Sequence, residues 1–252
     1  MLDLTIIVPI LELDEDGLKL FERALESTGE NNVVVVGSKK ALDSVKASTH
    51  KFTTVVNKGD TSFSAQVNEA LKSVKTKYFS ILEYDDTYTS IWFKNVENYI
   101  ESSEGDVFAY FPLVELIDSK DEAYGPVGYV NEALWASSFS EEIGYFDLEA
   151  LENFMDYNPN GGVFKTEEFV SLGGLKASMK LSFWYEFLLR AIYYKKKIFV
   201  IPKVGYIHYI NRDGSLSSIY SSTMDSKEAD WWFETAKKEY FFQQDRQKTY
   251  EE

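Results

Sequence analysis

The sequence predicts an α/β protein with a mostly parallel central sheet, helices on both faces of that sheet, and a C-terminal helical extension. In the first half of the 252-residue chain, short and wholly apolar runs alternate with amphipathic segments. Such runs are typical of parallel strands buried on both faces, whereas the amphipathic segments have the period of helices. Near the C-terminus, one long helical pattern carries several aromatic residues. We therefore predict one α/β domain over residues 1–220 and a helical extension over residues 221–252.

The first half is expected to contain the repeated strand and helix units. Strands are predicted at residues 4–10, 33–36, 53–56, 78–83 and 107–116. Helices are predicted at residues 15–27, 39–47 and 62–74, and from a cap at Thr89 or Ser90 to residue 102. Because the strands have no polar face, helices must cover both sides of the sheet.

The second half has a less regular pattern. Short helices are predicted at residues 131–137 and 147–156, and a strand at 163–165. Thr166 is expected to cap the next helix, whose first turn carries two glutamates. A helix at 181–194, strands at 198–201 and 204–210, and a final helix at 225–247 follow. The aromatic residues of the final helix are expected to dock on the domain or to serve self-association or binding of a protein partner.

The overall composition excludes several classes of protein. A formal charge of −15 argues against a general surface for nucleic acid. The chain has no cysteine and only two histidines, so disulfides, thiolate metal sites and histidine-rich zinc sites are excluded. Its first residues do not have the pattern of a signal peptide, and no run approaches the ~20 apolar residues that span a bilayer. We therefore expect a cytoplasmic protein without a membrane span.

The most informative segment is residues 53–86, where the predicted strand at 78–83 runs into Asp85 and Asp86. Carboxylate oxygens are the ligands that hard divalent cations prefer. In open α/β sheets, ligand sites lie beyond the carboxyl ends of the strands. We therefore expect both aspartates to be exposed at a cleft and to bind a metal ion. The alternative is a local turn, since Asp commonly bonds its own backbone at turns.

Several short motifs follow one another in a characteristic order between residues 4 and 212, although none is specific alone. They are Thr5-Ile6-Ile7-Val8-Pro9; Asn57-x-Gly59 with Ser64, Asn68 and Ala70; Tyr78 to Asp86; Gly161 to Lys165; Gly173-Gly174-Leu175; Leu189-Arg190; Ile201-Pro202; and His208-Tyr209. Their order and spacing resemble the family 2 glycosyltransferases, whose GT-A fold is Rossmann-like. The resemblance implies a nucleotide-sugar half at residues 1–117 and an acceptor half at 118–220. The composition also resembles glycosyltransferases carried by large tailed phages, for which the cytoplasm would be that of the host.

The family resemblance implies an inverting, metal-dependent glycosyltransferase. In such enzymes, Mn²⁺ or Mg²⁺ bridges the aspartates to the diphosphate of a nucleotide sugar and acts as a Lewis acid for the leaving group. A carboxylate from the second half takes the proton of the acceptor hydroxyl, and in-line displacement inverts the anomeric carbon. The expected donor is a UDP-sugar. The acceptor, whether a sugar, a polymer or a modified base, stays open.

The resemblance assigns site residues position by position. The metal ligands are expected to be Asp85, Asp86 and His208, with the direct aspartate ligand left open. A partly buried structural histidine is the alternative for His208. The residues expected to bind the nucleotide sugar are Pro9, Asn57, Gly59, Ser64, Asn68, Glu83, Asp85 and Arg212, the last as a neutraliser of diphosphate charge.

The sequence departs from the family pattern at three places. The acids usual after the second strand are replaced by Gly37-Ser38-Lys39-Lys40, and Glu83 stands as the first acid of the DxD-type motif. Phe183 and Trp184 occupy the positions of the family's Glu-Asp pair. These departures favour a second hypothesis, a degenerate glycosyltransferase-fold protein that serves as a binding or structural subunit.

Glu186 is the candidate general base because it is the only acid between residues 168 and 213. Its aromatic neighbours in the sequence could raise its pKa by desolvation, and a helix beginning near residue 182 could turn it toward the paired aspartates. The alternative is a glutamate that faces solvent or is paired within the core.

Overall fold

The computed structural model describes residues 2–103, 105–136, 141–153, 157–212 and 223–242. The described strands are β1 Leu4–Pro9, β2 Asn32–Gly37, β3 Thr53–Val56, β4 Tyr78–Ile81, β5 Thr87–Tyr88, β6 Ala109–Asp118, β7 Pro126–Val130, β8 Val163–Lys165 and β9 Ile198–Ile210. The described α-helices are α1 Glu15–Glu26, α2 Lys39–Ser44, α3 Phe63–Leu71, α4 Trp92–Ser102, α5 Leu148–Asn153, α6 Thr166–Ser171, α7 Phe183–Tyr193 and α8 Ser226–Glu239. Short 3₁₀ turns lie at Glu122–Tyr124 and Glu132–Trp135.

The nine described strands form one mixed sheet in the order β3-β2-β1-β4-β8-β6-β9-β5, with β7 paired to β6. Strands β1 to β4 are parallel, and β6 is parallel to β9. In contrast, β8 is antiparallel to β4 and β6, and β5 and β7 are antiparallel to β9 and β6. The predicted α/β class is therefore confirmed, but the sheet is mixed. The connection from β6 to β7 is too short for a parallel crossover, so these two strands must run antiparallel.

Helices cover both faces of the parallel part of the sheet, as the apolar strands predict. One apolar cluster packs α1, α2 and α4 against Ile6 and Val8. The other packs α3, α6 and α7 against Ile7. The two clusters divide along β1 because successive side chains of a strand point to opposite faces.

Helix α1 illustrates how local sequence sets an element that later positions the site. The Asp14 side chain accepts a hydrogen bond from the Gly17 backbone N–H at 2.8 Å and so caps the helix. Its buried face consists of Phe21, Ala24 and Leu25 with Gly17. Arg23 lies in the last turn, between core residues, and reaches toward the segment after β4.

Three predictions in the second half were wrong in detail. Strand β9 is continuous, and the register shifts of its pairing with β6 fall around Pro202, where two strands were predicted. A shift of register accommodates a proline that cannot donate to the ladder. Strand β7 was missed because Pro126 and Gly128 are typical of turns, yet proline is tolerated on an edge strand. Thr166 does not cap α6, because it is the first helical residue and Lys165 occupies the cap position.

The C-terminal helix α8 packs on the α/β domain. Ala236 is fully buried, and Trp232, Phe233 and Tyr240 contact the core cluster that includes α7. The helix ends at Glu239, and part of the predicted range 225–247 lies outside the described residues. The predicted domain division at residue 220 also falls on residues outside them. Among the helices of the described ranges, none has the length and apolar character needed to cross a membrane.

Candidate functional site

The segment after β4 meets the end of β9 at the carboxyl edge of the parallel strands. The short strand β5 pairs with β9 so that Thr87 lies opposite Ile207. This register places Asp86 beside His208, and an Asp86 Oδ2 atom lies 2.8 Å from the His208 Nδ1 atom. The paired strands therefore bring together two residues that are 122 positions apart in the chain.

Asp86 is fully buried, with 0% of its surface exposed. While one carboxylate oxygen contacts the His208 ring, the other accepts a hydrogen bond from the Tyr209 backbone N–H at 2.9 Å. A buried carboxylate needs such partners, because an unpaired charge away from water is strongly unfavourable. The expectation that Asp86 is exposed at a cleft was wrong.

Glu83 completes a group of three potential metal ligands with Asp86 and His208. One ligand atom from each lies within 4.8 Å of the others. Glu83 is half-buried, and its Oε1 accepts a hydrogen bond from Asn160 Nδ2 at 2.6 Å. Burial raises the pKa of Glu83 to about 7, and the Asp86 carboxylate adds to the rise, whereas His208 and Asn160 oppose it. Burial and the Asp86 carboxylate both disfavour the charged form of Glu83, and a bound cation would favour it.

His208 carries the positive charge of this group at neutral pH. Burial alone would lower the pKa of His208, but the Asp86 carboxylate and its hydrogen bond raise it to about 9, with a further contribution from Glu83. Its side chain is 24% exposed, so the ring is reachable from solvent. Carboxylate oxygens suit both Mn²⁺ and Mg²⁺, and an imidazole suits a transition metal such as Mn²⁺ better than Mg²⁺, so the residues fit the metal expected from the sequence.

Asp85 faces a different partner from the one predicted. It is 5% exposed, and its Oδ2 accepts a hydrogen bond from Arg212 Nε at 2.5 Å. Burial raises the pKa of Asp85, and Asp86 adds to the rise, whereas Arg212 opposes it. The structure thus groups Glu83, rather than Asp85, with Asp86 and His208, and the predicted exposure of Asp85 was wrong as well.

Two arginines hold the segment that contains Asp85. The Arg212 guanidinium lies 5.0 Å from the centre of the Tyr84 ring. Arg23, from α1, donates to the Asp85 backbone carbonyl at 3.2 Å and lies 3.9 Å from the centre of the Tyr209 ring. These contacts fix the turn between β4 and β5 from both sides. No sequence signal identified Arg23 as part of the site, because a single arginine in the last turn of a helix is common as a partner of the helix dipole.

Four residues predicted to bind the nucleotide sugar lie near the same edge of the sheet. Pro9 ends β1 and pairs with Val36, and Ser64 is buried in the first turn of α3. The Asn57 side chain accepts a hydrogen bond from the Gly59 N–H at 3.0 Å and donates to the Asp60 carbonyl at 2.6 Å. Asn57 therefore shapes its own loop. Contact of these four residues with a nucleotide stays a prediction.

Asn68 has a structural role, and its predicted contact with the nucleotide sugar stays a prediction. Its side-chain amide donates to the Leu175 carbonyl at 2.7 Å and accepts from the Leu175 N–H at 3.0 Å. The Gly173-Gly174 turn makes this approach possible, because a Cβ atom at Gly174 would lie 2.4 Å from Asn68 Oδ1. Asn68 therefore ties α3 to residues 173–175, and both of its polar atoms are already bonded within the protein.

Glu186 is sealed in the core, and its predicted role as general base was wrong. Its surface is 0% exposed. Arg190 donates to its carboxylate from Nε at 2.8 Å and from Nη2 at 3.0 Å, and Lys176 Nζ lies 3.0 Å from it. Arg190 also donates to the carbonyls of Leu172 and Gly174. A base must approach the acceptor hydroxyl within hydrogen-bond reach, which a glutamate without exposed surface cannot do.

Asn160 and Tyr206 belong to the site, although the sequence did not indicate them. Asn160 holds the Glu83 carboxylate, and the Tyr206 hydroxyl accepts a hydrogen bond from the Glu83 N–H at 3.1 Å. Asn160 lies between Pro159 and Gly161, residue types that are typical of a turn. Its contact across 77 positions of sequence had no local signal.

Comparisons with known proteins identify the fold. No family model and no curated protein matches the sequence. The mannosyltransferase PcManGT from Pyrobaculum calidifontis, solved with GDP-Man and Mn²⁺, aligns with a TM-score of 0.58 and 17% identity over 84% of this chain and 58% of that chain. S. aureus TarS 1-349, solved with UDP-GlcNAc, aligns with a TM-score of 0.60 and 16% identity over 86% of this chain and 61% of that chain.

The TarS 1-349 structure without a named ligand gives a TM-score of 0.57 and 14% identity over 92% of this chain and 78% of that chain. The chain therefore spans about three-fifths of the length of PcManGT and of the UDP-GlcNAc complex. At such low identity, the similarity concerns the fold. The chain has the α/β GT-A fold that these glycosyltransferases share, with a mixed central sheet.

Proposed function

We propose that this protein is a glycosyltransferase that uses a nucleotide sugar as its donor. The observation that carries the proposal is the group formed by Glu83, Asp86 and His208, whose ligand atoms lie within 4.8 Å of one another. The group lies beyond the carboxyl ends of parallel strands, where α/β folds bind their ligands. The fold is shared with proteins solved with GDP-Man and Mn²⁺ or with UDP-GlcNAc.

A divalent metal ion is part of the proposal. Glu83 and His208 would hold Mn²⁺ or Mg²⁺ with Asp86 beside them, and the imidazole favours Mn²⁺ over Mg²⁺. When bound, the metal would supply Lewis-acid stabilisation of the leaving diphosphate. Arg212, now paired with Asp85, would bring a second positive charge to the same phosphates. Both groups would stabilise charge that develops as the bond to the sugar breaks.

The donor, the stereochemical course and the acceptor are proposed from the sequence resemblance. We propose a UDP-sugar as the donor and an in-line displacement that inverts the anomeric carbon. A hydroxyl of a sugar, a polymer or a modified base would be the acceptor. Trp231 and Phe242 are exposed on and just after α8, which supports the predicted association with a protein partner or a second copy. A cytoplasmic location, that of a host if the chain is phage-encoded, stays a prediction.

A second candidate function is a degenerate glycosyltransferase-fold protein that binds a ligand or supports a complex without catalysis. Two observations favour it. Glu186 is withdrawn into a buried ion pair, so the expected general base is lost. After β2, where the family has acids, the Ser38 side chain caps α2 by accepting a hydrogen bond from the Ala41 N–H at 3.1 Å. That side-chain oxygen is thus already engaged.

Mass spectrometry with a panel of nucleotide sugars distinguishes the two functions. The protein is incubated with UDP-, GDP-, CDP- and dTDP-sugars in the presence of Mn²⁺, with water as the acceptor that takes the sugar, and the free nucleoside diphosphate is measured. The first function predicts release from one donor above the level of a His208→Gln control. Binding of a nucleotide without release supports the second function. Neither binding nor release across the panel would contradict a nucleotide-sugar site.

A further inference from the structure

We propose that Asp86 is a positioning residue that holds a proton on His208 Nδ1, so that Nε2 is the atom His208 offers to a divalent cation. The inference rests on the proposed function of the site and assigns separate roles within it. Glu83 and His208 would contact the cation directly. Asp86 would act through the histidine ring.

Each carboxylate oxygen of Asp86 already has a partner within the protein. Its Oδ1 accepts from the Tyr209 backbone N–H, and its Oδ2 faces His208 Nδ1. Its own N–H donates to the Glu83 carbonyl at 3.1 Å, so the turn that carries it is closed on itself. Because 0% of its surface is exposed, Asp86 would influence a bound cation through these neighbours and not by direct contact from solvent.

The position of His208 complements that of Asp86. Because Nδ1 is engaged by the carboxylate, Nε2 is the remaining nitrogen of a ring that is 24% exposed. The backbone of His208 is fixed within β9, opposite Leu116 of β6. A carboxylate bonded to the second nitrogen of a metal-ligating histidine fixes the tautomer and the orientation of the ring. Asp86 occupies that position.

The substitution Asp86→Asn tests this role with little change of shape. The amide oxygen of asparagine can still accept from the Tyr209 N–H. Its NH₂ group would then face His208 Nδ1 and require a lone pair there, which moves the ring proton to Nε2. The variant should therefore keep the fold and present the wrong nitrogen to a cation. Thermal unfolding of the variant checks that the fold is kept.

The tautomer of His208 is measured directly by ¹⁵N NMR of histidine-labelled, metal-free protein at about pH 10, where most of the rings are neutral. The chain has only two histidines, so His50→Gln assigns the signals. We expect the Nδ1–H form in the wild type and the Nε2–H form in Asp86→Asn. A wild-type ring in the Nε2–H form would overturn the proposal. This readout does not depend on whether the protein binds a nucleotide.

A double-mutant cycle separates positioning from direct ligation. Mn²⁺ affinity is measured by EPR in the presence of UDP. Asp86→Asn should lower the affinity about 10- to 100-fold, the usual effect of removing a partner of a ligating histidine. In a His208→Gln background, Asp86→Asn should lower the Mn²⁺ affinity less than about twofold, because Asp86 acts through the histidine ring.

Glu83→Gln provides the matched control background. Because Glu83 is assigned as a direct ligand, Asp86→Asn should retain most of its effect there. Equal losses from Asp86→Asn in the wild-type and His208→Gln backgrounds would show that Asp86 is itself a ligand and would overturn the proposal. Absence of Mn²⁺ binding by the wild type would contradict the proposed function, while the NMR measurement would still decide the role of Asp86.

Discussion

Two clusters in this molecule are each built around a fully buried carboxylate, yet their surroundings are opposite. Glu186 is enclosed by Arg190 and Lys176, whose side chains are also fully buried. Asp86 is paired with His208, whose ring is partly exposed. Arginine keeps its charge at any ordinary pH, whereas histidine exchanges its proton near neutral pH. A buried carboxylate that is paired with a permanently charged arginine is therefore structural. A buried carboxylate that is paired with a partly exposed histidine can belong to a site where a metal ion replaces a proton.

The positions of the two clusters support the same distinction. The Glu186 cluster joins α7 to residues 172–176 and to the end of α8, where Lys176 Nζ donates to the Glu239 carbonyl at 2.8 Å. The Asp86 cluster lies beyond the carboxyl ends of parallel strands. One cluster connects helices within the core, and the other lies where α/β folds bind ligands.

The largest effect is expected from Glu186→Gln. Removing the carboxylate leaves Lys176 and Arg190 as two buried cations without a counter-charge. Breaking such a buried pair typically costs about 3–5 kcal/mol. Urea denaturation should show a loss of this size, with Glu168→Gln as the control. Glu168 pairs with Lys196 at a half-buried position, so its loss should cost less than about 1 kcal/mol. A stable Glu186→Gln variant would contradict the structural role of this cluster.

A smaller effect is expected from pH. The pKa of His208 is raised to about 9 in the folded protein, so its stabilising contribution is complete below the unfolded value near 6.5. It is lost as the pH rises through about 9. The free energy of unfolding of the metal-free protein should fall on the order of 1–3 kcal/mol over this range. Denaturation at several pH values should show a flatter profile for His208→Gln. An equal slope in both proteins would contradict the Asp86–His208 pairing.

The smallest effect on stability is expected from Arg212→Gln. Its partner Asp85 is buried, with 7% of the side chain exposed, but the glutamine amide can still donate a hydrogen bond to the Asp85 carboxylate, so the expected loss is about 1 kcal/mol. If Arg212 neutralises diphosphate charge, the affinity for UDP with Mn²⁺ should fall about tenfold, which corresponds to about 1.4 kcal/mol. Calorimetric titration measures this change, and Lys120→Gln, a nearby lysine, is the control. Unchanged UDP affinity in Arg212→Gln would exclude this role.

Much of the fold could be predicted from local sequence patterns. The wholly apolar runs identified the parallel strands, and β3 and β8 have the predicted bounds. Irregular elements could not be predicted in this way. Strand β7 carries turn-forming residues, and β9 continues past Pro202 through its pairing with β6. Pairing between strands decided these cases, and it leaves little local trace in the sequence.

The candidate site was predictable only in part, because its chemistry depends on contacts between distant segments. The strand before Asp85 and Asp86 was predicted from the sequence. In the structure, His208 lies beside Asp86, as expected of two residues assigned to one site. The choice of Glu83 over Asp85 depends on the turn between β4 and β5, which the sequence does not specify. For Glu186, the spacing to Arg190 is that of an i, i+4 helix pair and could have indicated a structural partner. The second partner of Glu186, Lys176, had no such signal in the sequence.

The central claim is that metal-dependent nucleotide binding belongs to the Asp86 cluster and not to the Glu186 cluster. The most direct test is the melting temperature of the wild type, His208→Gln and Glu186→Gln with UDP, with Mn²⁺ and with both. A ligand at 100 times its Kd stabilises the folded state by about 2.7 kcal/mol. The wild type should therefore gain several degrees only with both ligands, Glu186→Gln should gain a similar shift from a lower baseline, and His208→Gln should gain none. A full shift in His208→Gln, or no added shift with both ligands in the wild type, would contradict the claim.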